Sequence, residues 1–398
     1  MTESASIILL YCVATLTAII TRRLRVPYTA ALLVAGVALG AVHVVTLPHL
    51  TKELLFTVFL PGLLFEAAYG LRPSELRASA ATVGVLAVPG VVLTILITAA
   101  LLVSGSRALP TLGDIGWQAA LVFGTVVAAT DPVAVTSLLR EVNAPRRLRV
   151  LLEAESLLND GTSIVAFTLL ITYLDGTAIT PLALLGDFLR MTLGGAAVGV
   201  AVGWGVSHVR RRVGDVAIEI TLTTIAAYGS FVLAEWLGCS GVIATVAAGV
   251  MCGHAARHFN ITASMREAVD GYWEWIAFAL NSAVFLLLGA ELSPSAMWAV
   301  WPLIAVGALA VLIARAVVVS GAAIATRRHE HVPAAWQGVM TWGGLKGALS
   351  LVLALALPSG LANRGTIISM TAGVVVISLL VQGASMPLLL RRLRIGAD

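Results

Sequence analysis

Asp131 and Asp160 are carboxylates set in otherwise apolar stretches, within the strings Thr130-Asp131-Pro132 and Glu155-Ser156-Leu157-Leu158-Asn159-Asp160-Gly161. At bilayer depth a carboxylate costs about 2.5–3.5 kcal/mol on insertion scales, so an ionisable residue there marks a functional site. Glu155 and Asn159 are four residues apart, as are Ser156 and Asp160, which places two adjacent polar rows on one helix face. Together Asp131 and Asp160 could replace part of a small cation's hydration shell, with Ser156 and the freed carbonyl near Thr130 adding neutral oxygens. The same carboxylate could hold a proton instead, because desolvation favours the neutral acid when no cation is present. Competition between cation and proton for one carboxylate is antiport in its simplest form.

The elements that must position these groups follow from composition. Of 398 residues, 59% are hydrophobic and only 12% charged, which describes an all-α polytopic membrane protein. The pattern predicts 13 transmembrane helices, near 4–20, 28–47, 52–70, 81–103, 116–139, 148–173, 186–209, 216–237, 240–256, 267–290, 296–323, 334–358 and 364–390. Alternate joints differ sharply in charge. One set carries Arg22, Arg23 and Arg25; Arg72 and Arg77; Arg140, Arg146, Arg147 and Arg149; Arg210, Arg211 and Arg212; Arg257 and Arg266; Arg327 and Arg328; and Arg391, Arg392 and Arg394. The other has Lys52, Arg107 and Arg364, with Arg190 near the same surface. Positive flanks are retained in the cytoplasm, so the N-terminus is expected outside and the C-terminus inside. The net charge of +4 thus reports topology, and no nucleic-acid partner is expected. Met1-Thr2-Glu3-Ser4 lacks the basic start of a signal peptide, so the first helix is expected to be retained, and no globular domain is expected after the last span.

Thirteen helices divide into six, a connector and six, the arithmetic of six-helix inverted repeats. The fifth helix is interrupted by Thr130-Asp131-Pro132, and the fifth of the second half, helix 12, by Trp342-Gly343-Gly344-Leu345-Lys346-Gly347. Broken helices at matched positions point to a midplane site, where free backbone groups meet substrate or charged side chains. Counting 1.5 Å per residue from opposite surfaces, Asp160 lies about 18 Å and Asp131 about 22 Å into their spans, a common depth. Arg315 in helix 11, Lys346 and Glu66 are further intramembrane charges. Arg315 is expected to serve Glu155 or the half-ends of helix 12, and Lys346 to neutralise dipole ends or meet Glu66. Glu153 is expected to pair with Arg149 outside the site.

Cys12, Cys239 and Cys252 form no CxxC pair and read as packing residues. His254 and His258, at i, i+4, read as interfacial. Trp117, Trp236, Trp298 and Trp301 fall near predicted outer helix ends, as an aromatic belt would place them, and Trp273 and Trp275 carry no special reading.

The strings Ala129-Thr130-Asp131-Pro132-Val133-Ala134, Glu155-Ser156-Leu157-Leu158-Asn159-Asp160-Gly161 and Gly343-Gly344-Leu345-Lys346-Gly347-Ala348 resemble those of sodium/proton antiporters of the NhaP/NHE type, in the monovalent cation:proton antiporter superfamily. The resemblance implies an NhaA-like antiporter fold with two crossing broken helices (helices 5 and 12) and a homodimer in the cell (inner) membrane of a prokaryote. Residues 1–80 and 176–295 would form the dimerisation domain and connector, and 81–175 and 296–398 the transport core, moving in an elevator-like manner. It further implies that Asp160 carries Na+ (or Li+) and H+, that Asp131, Ser156 and Thr130 assist cation binding, and that Glu155 and Asn159 form a supporting pair. No cofactor is expected beyond the transported Na+ and H+. Asn159-Asp160 resembles the electroneutral branch, and one carboxylate swapping one cation for one proton is itself charge-neutral. The departure is Lys346, where many family members have arginine in Gly-Leu-Arg-Gly; lysine lacks the planar fork and can deprotonate when buried.

A K+/H+ antiporter and a cation channel are the nearest alternatives, but the chain has neither a selectivity-filter string nor an obvious ring of charges. An intramembrane aspartyl protease would need Asp131 and Asp160 as its dyad, yet no Gly-x-Gly-Asp string surrounds either. No enzymatic activity is expected.

Overall fold

A computed structural model of the chain describes residues 3–24, 27–42, 51–108, 115–174, 176, 180–210, 214–258 and 262–396. Arg25, Arg211 and Arg212 of the basic set, residues 43–47 of the second predicted span, and Met1 and Thr2 lie outside the described residues. Those described form helices joined by turns, with no β-strand among them. In chain order those of eight residues or more are α1 (Glu3–Leu24), α2 (Tyr28–Val42), α3 (Leu55–Gly70), α4 (Ala80–Ala108), α5 (Trp117–Val126), α6 (Val133–Glu141), α7 (Arg146–Leu174) and α8 (Pro181–Arg210). There follow α9 (Val216–Trp236), α10 (Gly241–His258), α11 (Ala263–Glu291), α12 (Trp301–Thr326), α13 (Ala334–Trp342), α14 (Ala348–Leu355) and α15 (Arg364–Arg392).

In hydrocarbon every backbone N–H and C=O must find a partner within the chain, which is why apolar runs of this length become helices. By length and composition, seven of those described can cross a membrane: α4, α7, Leu182–Arg210 of α8, α9, α11, α12 and α15. Shorter apolar helices occupy Ile8–Thr21, Tyr28–Ala41, Leu55–Gly70 and Trp117–Val126. The chain is a multi-pass membrane protein. Large apolar side chains on the exterior, such as Ile8, Leu182 and Leu193, fit a surface that faces lipid rather than water. Trp117, Trp236, Trp298 and Trp301 are all exposed.

The chain divides into two compact units. One comprises Thr51–Ala78 and Ile164–Asn281. Here Gly195, Gly199 and Gly203 recur every fourth residue along α8 and lie against Ser240, Ala244 and Ala248, the matching row of small residues at α10. Without a hydrophobic drive between helices in lipid, such stripes associate by close backbone contact. A Cβ at Gly199 would land on the carbonyl oxygen of Ala244. Gly199→Val is therefore expected to lower stability by about 1–3 kcal/mol through overpacking, read as a lower unfolding midpoint in detergent. The opposite face of α10 meets α3, and Phe65, Tyr69, Cys252 and Trp273 fill the core between these helices. Trp273, which the sequence left without a role, is among the most buried side chains and donates Nε1–H to Thr223 Oγ1 at 3.1 Å. Arg210, one of the basic joint residues in the sequence, is buried and ion-paired with Glu219.

The other unit comprises Met1–Leu50, Ser79–Ser163 and Ser282–Asp398. In it α12 lies along α4 and against α15, while α5 packs on α4. The Glu330 carboxylate accepts the N–H groups of Ala81 and Thr82 at 2.9 and 3.2 Å, capping the start of α4. Two helical paths in this unit are interrupted. Between α5 and α6, residues 127–132 leave the helix before Pro132; between α13 and α14, residues 343–347 do so around the glycines.

Candidate functional site

The two interruptions meet. The Asp131 N–H donates to the Leu345 carbonyl at 2.8 Å, a backbone bond from one break to the other. A Cβ at Gly347 would fall on the Asp131 side chain, so only glycine allows this approach. Breaking a helix inside a membrane strands donors and acceptors that lipid cannot satisfy, and here neighbouring helices supply the partners.

Four helix ends converge, each faced by a side chain of opposite sign. The carbonyls of Ala128 and Ala129, beyond the C-terminal end of α5, accept from Lys346 Nζ at 3.5 and 3.1 Å. The Met340 carbonyl near the end of α13 accepts from Arg315 Nε at 3.2 Å. Asp131 Oδ1 accepts the Val133 N–H at 3.0 Å at the start of α6, and the same carboxylate lies beside Gly347, where α14 begins. Cations thus sit at two C-terminal ends and an anion at two N-terminal ends.

Helix α7 runs unbroken past this crossing and presents its polar rows to it. Glu155 forms a bidentate pair with Arg315, both N–H···O contacts at 2.8 Å, and both residues are buried. Asn159 Nδ2 donates to Glu155 Oε1 at 3.2 Å, to the Ala128 carbonyl at 3.2 Å and to Thr130 Oγ1 at 3.4 Å. The Ser156 hydroxyl donates to the Thr130 carbonyl. Ser163 Oγ donates to Asn159 Oδ1 at 2.9 Å, and the Lys346 N–H donates to Ser378 Oγ at 2.8 Å.

Asp160 differs from its neighbours. Its Oδ1 is buried and has no hydrogen-bond partner among the described residues. The charged groups whose fields reach it are Asp131, Glu155 and Lys346. A buried carboxylate oxygen with no donor is costly as it stands, and either a cation or a proton could supply what it lacks. The surroundings offer further oxygens at Asp131 and around Thr130, and a set built only of oxygens suits a hard cation.

Of the residues singled out in the sequence, the structure thus groups Thr130, Asp131, Glu155, Ser156, Asn159, Asp160, Arg315 and Lys346 in one unit. Arg315 serves both expected partners at once, and Lys346 meets helix-end carbonyls. Glu66, on α3, belongs to the other unit. Glu153 pairs with Arg140 at 3.0 Å rather than with Arg149, because the loop after α6 brings Arg140 across to α7. Ser163 and Ser378 were not anticipated. Ser163 continues the row Glu155, Asn159 by one further step of four, a signal the sequence did carry. Ser378 opens a wide helical turn, Ser378–Gly383, inside α15, and sequence offers no pointer to it.

Comparison with known proteins agrees with this architecture. Residues 8–392 match the family described as "Sodium/hydrogen exchanger, transmembrane". The Na(+)/H(+) antiporter ApNhaP of Aphanothece halophytica is 36% identical over 389 residues, covering 97% of this chain and 73% of that relative. The Na(+)/H(+) antiporter NhaP of Pseudomonas aeruginosa is 37% identical over 356 residues, covering 87% of this chain and 82% of the relative. The solved structure of the sodium proton antiporter MjNhaP1 from Methanocaldococcus jannaschii at pH 8 shares the fold, with a TM-score of 0.79 over 99% of both chains at 20% identity.

Proposed function

Because the chain belongs to the sodium/hydrogen exchanger family, we propose that it exchanges Na+ (or Li+) for H+ across a prokaryotic inner membrane, with Asp160 holding each ion in turn. The observation that carries this reading is the buried, partnerless Oδ1 of Asp160 amid charged side chains that are otherwise matched. Asp131, Ser156 and Thr130 assist the cation. Glu155 with Asn159 and Arg315 fixes α7 against the crossing, and Lys346 offsets the α5 end.

One carboxylate exchanging one cation for one proton is electroneutral. We further propose thirteen spans arranged as inverted repeats, with the N-terminus outside and the C-terminus in the cytoplasm. The paired interruptions and the alternating basic joints support this reading. Segments 81–175 and 296–398 act as the transport core, and 1–80 and 176–295 as connector and dimerisation domain, in a homodimer working by elevator motion.

Proteoliposomes test the exchange. An inward sodium gradient is expected to drive proton efflux, and clamping the membrane potential with valinomycin and potassium to leave the rate unchanged. Flux that follows the clamped potential would contradict electroneutral exchange, and absence of coupling would contradict antiport. Running lithium and potassium beside sodium separates a sodium carrier from a potassium one.

A further inference from the structure

Away from the crossing, the unit that holds α3, α8, α9 and α10 contains a cavity of about 500 Å³ lined by Arg72, Arg77, His254, Arg257, His258 and Arg266, among others. It lies where α3 and α10 end and α11 begins. Among the described residues no carboxylate lines it. The acids within reach are Glu75, 4.0 Å from Arg72, and Asp270, whose charge acts on Arg257 and Arg266 from outside the cavity. Four guanidinium groups converging on one concavity repel one another and raise the local concentration of anions.

Each arginine has a different degree of commitment. Arg257 is structural: its guanidinium donates to the carbonyls of Tyr69 at 3.2 Å, Gly70 at 3.4 Å and Leu71, closing the end of α3. Arg266 gives one N–H to the Ala256 carbonyl at 2.8 Å, while its Nε is buried without a partner among the described residues. His254 Nδ1 is likewise buried and unpartnered among those residues. Arg77 is exposed and makes no hydrogen bond or ion pair among the described residues. Two orphaned buried nitrogens and an uncommitted guanidinium beside one cavity describe a receptor for something that accepts hydrogen bonds and carries negative charge.

We propose that this cavity binds an anionic phosphate group. A tetrahedral phosphate matches the guanidinium fork with two parallel N–H···O contacts, and Arg266 and Arg77 are the groups free to make them. Phosphate of this kind comes either from an anionic phospholipid headgroup or from a soluble phosphate. The position at the ends of apolar helices puts the cavity at headgroup depth, where basic recesses hold anionic lipid. A cation at His254 and His258 is disfavoured by the surrounding arginines.

The test uses the full chain in detergent, depleted of lipid, with unfolding midpoint and native mass spectrometry as readouts. Dioleoylphosphatidylglycerol is expected to bind and raise the midpoint, dioleoylphosphatidylcholine to do neither, and Arg77→Gln with Arg266→Gln to weaken phosphatidylglycerol by about fivefold per arginine. If inorganic pyrophosphate binds with the same sensitivity and the lipid does not, the phosphate site stands and its source is soluble. Binding of neither probe overturns the proposal. So does an equal loss from Arg327→Gln with Arg328→Gln, exposed arginines of the other unit, since that pattern is non-specific attraction. Should the double variant fail to fold, Arg77→Gln alone serves, because its side chain supports nothing in the described structure.

Discussion

Asp160→Asn is expected to abolish sodium-dependent proton flux while the protein still inserts, folds and assembles. Asparagine keeps the size of the side chain and can still accept a hydrogen bond, but it neither carries negative charge to a cation nor takes up and releases a proton. Apart from the Thr130 backbone bond to Asp160, which the asparagine oxygen can still accept, other groups hold the scaffold: Ser156 the Thr130 carbonyl, Asn159 the Ala128 carbonyl, and Arg315 the Glu155 carboxylate. Stability should be unchanged or higher, since a carboxylate with a buried, unpartnered oxygen becomes a neutral amide. Asp131→Asn makes the contrast. Asp131 caps the Val133 N–H, so its substitution should weaken cation binding and loosen the crossing without eliminating flux. Retained exchange in Asp160→Asn, measured in proteoliposomes alongside an empty-vesicle control, would refute Asp160 as carrier.

Arg315→Ala is expected to lower stability by about 3–5 kcal/mol, the effect of leaving a buried charge uncompensated. Removal of Arg315 strips Glu155 of both guanidinium N–H donors and takes the donor from the Met340 carbonyl at the end of α13. One substitution therefore disturbs α7, α12 and a broken helix together. Asn159 remains as a partner to Glu155 but carries no charge. Adding Glu155→Gln should recover part of the loss by removing the orphaned anion, a non-additivity that a double-mutant cycle reads directly. A fully stable Arg315→Ala protein without transport would move Arg315 from scaffold to ion path.

Much of the site was legible because membranes make polarity conspicuous. A carboxylate in an apolar helix needs a reason, and Asp131, Glu155 and Asp160 stood out on that ground alone. The interruptions were readable from Pro132 and from the glycines around Lys346, residues that weaken helices by their own covalent structure. What the sequence did not contain was who meets whom. The bond from Asp131 N–H to the Leu345 carbonyl joins main-chain atoms that every residue possesses, so no side chain announces it. Arg315 had two candidate partners, and only its position on α12 shows that one guanidinium serves both. Glu153 was paired with Arg149 on local spacing, and a tertiary contact with Arg140 prevailed. Arg210 counted in the sequence only as a basic joint residue, and its burial against neighbours was not legible there, since helix ends near a surface can still be covered. The small-residue stripe of α8 repeats every fourth residue, a periodicity present in the sequence itself.

The central claim is that cation and proton compete for one carboxylate. The direct measurement is proton release on sodium binding, followed with a pH indicator in weakly buffered detergent solution, below the pH at which the site empties of protons. About one proton should leave per sodium bound, and none from Asp160→Asn. Sodium binding to the unaltered protein with no proton release would contradict the account.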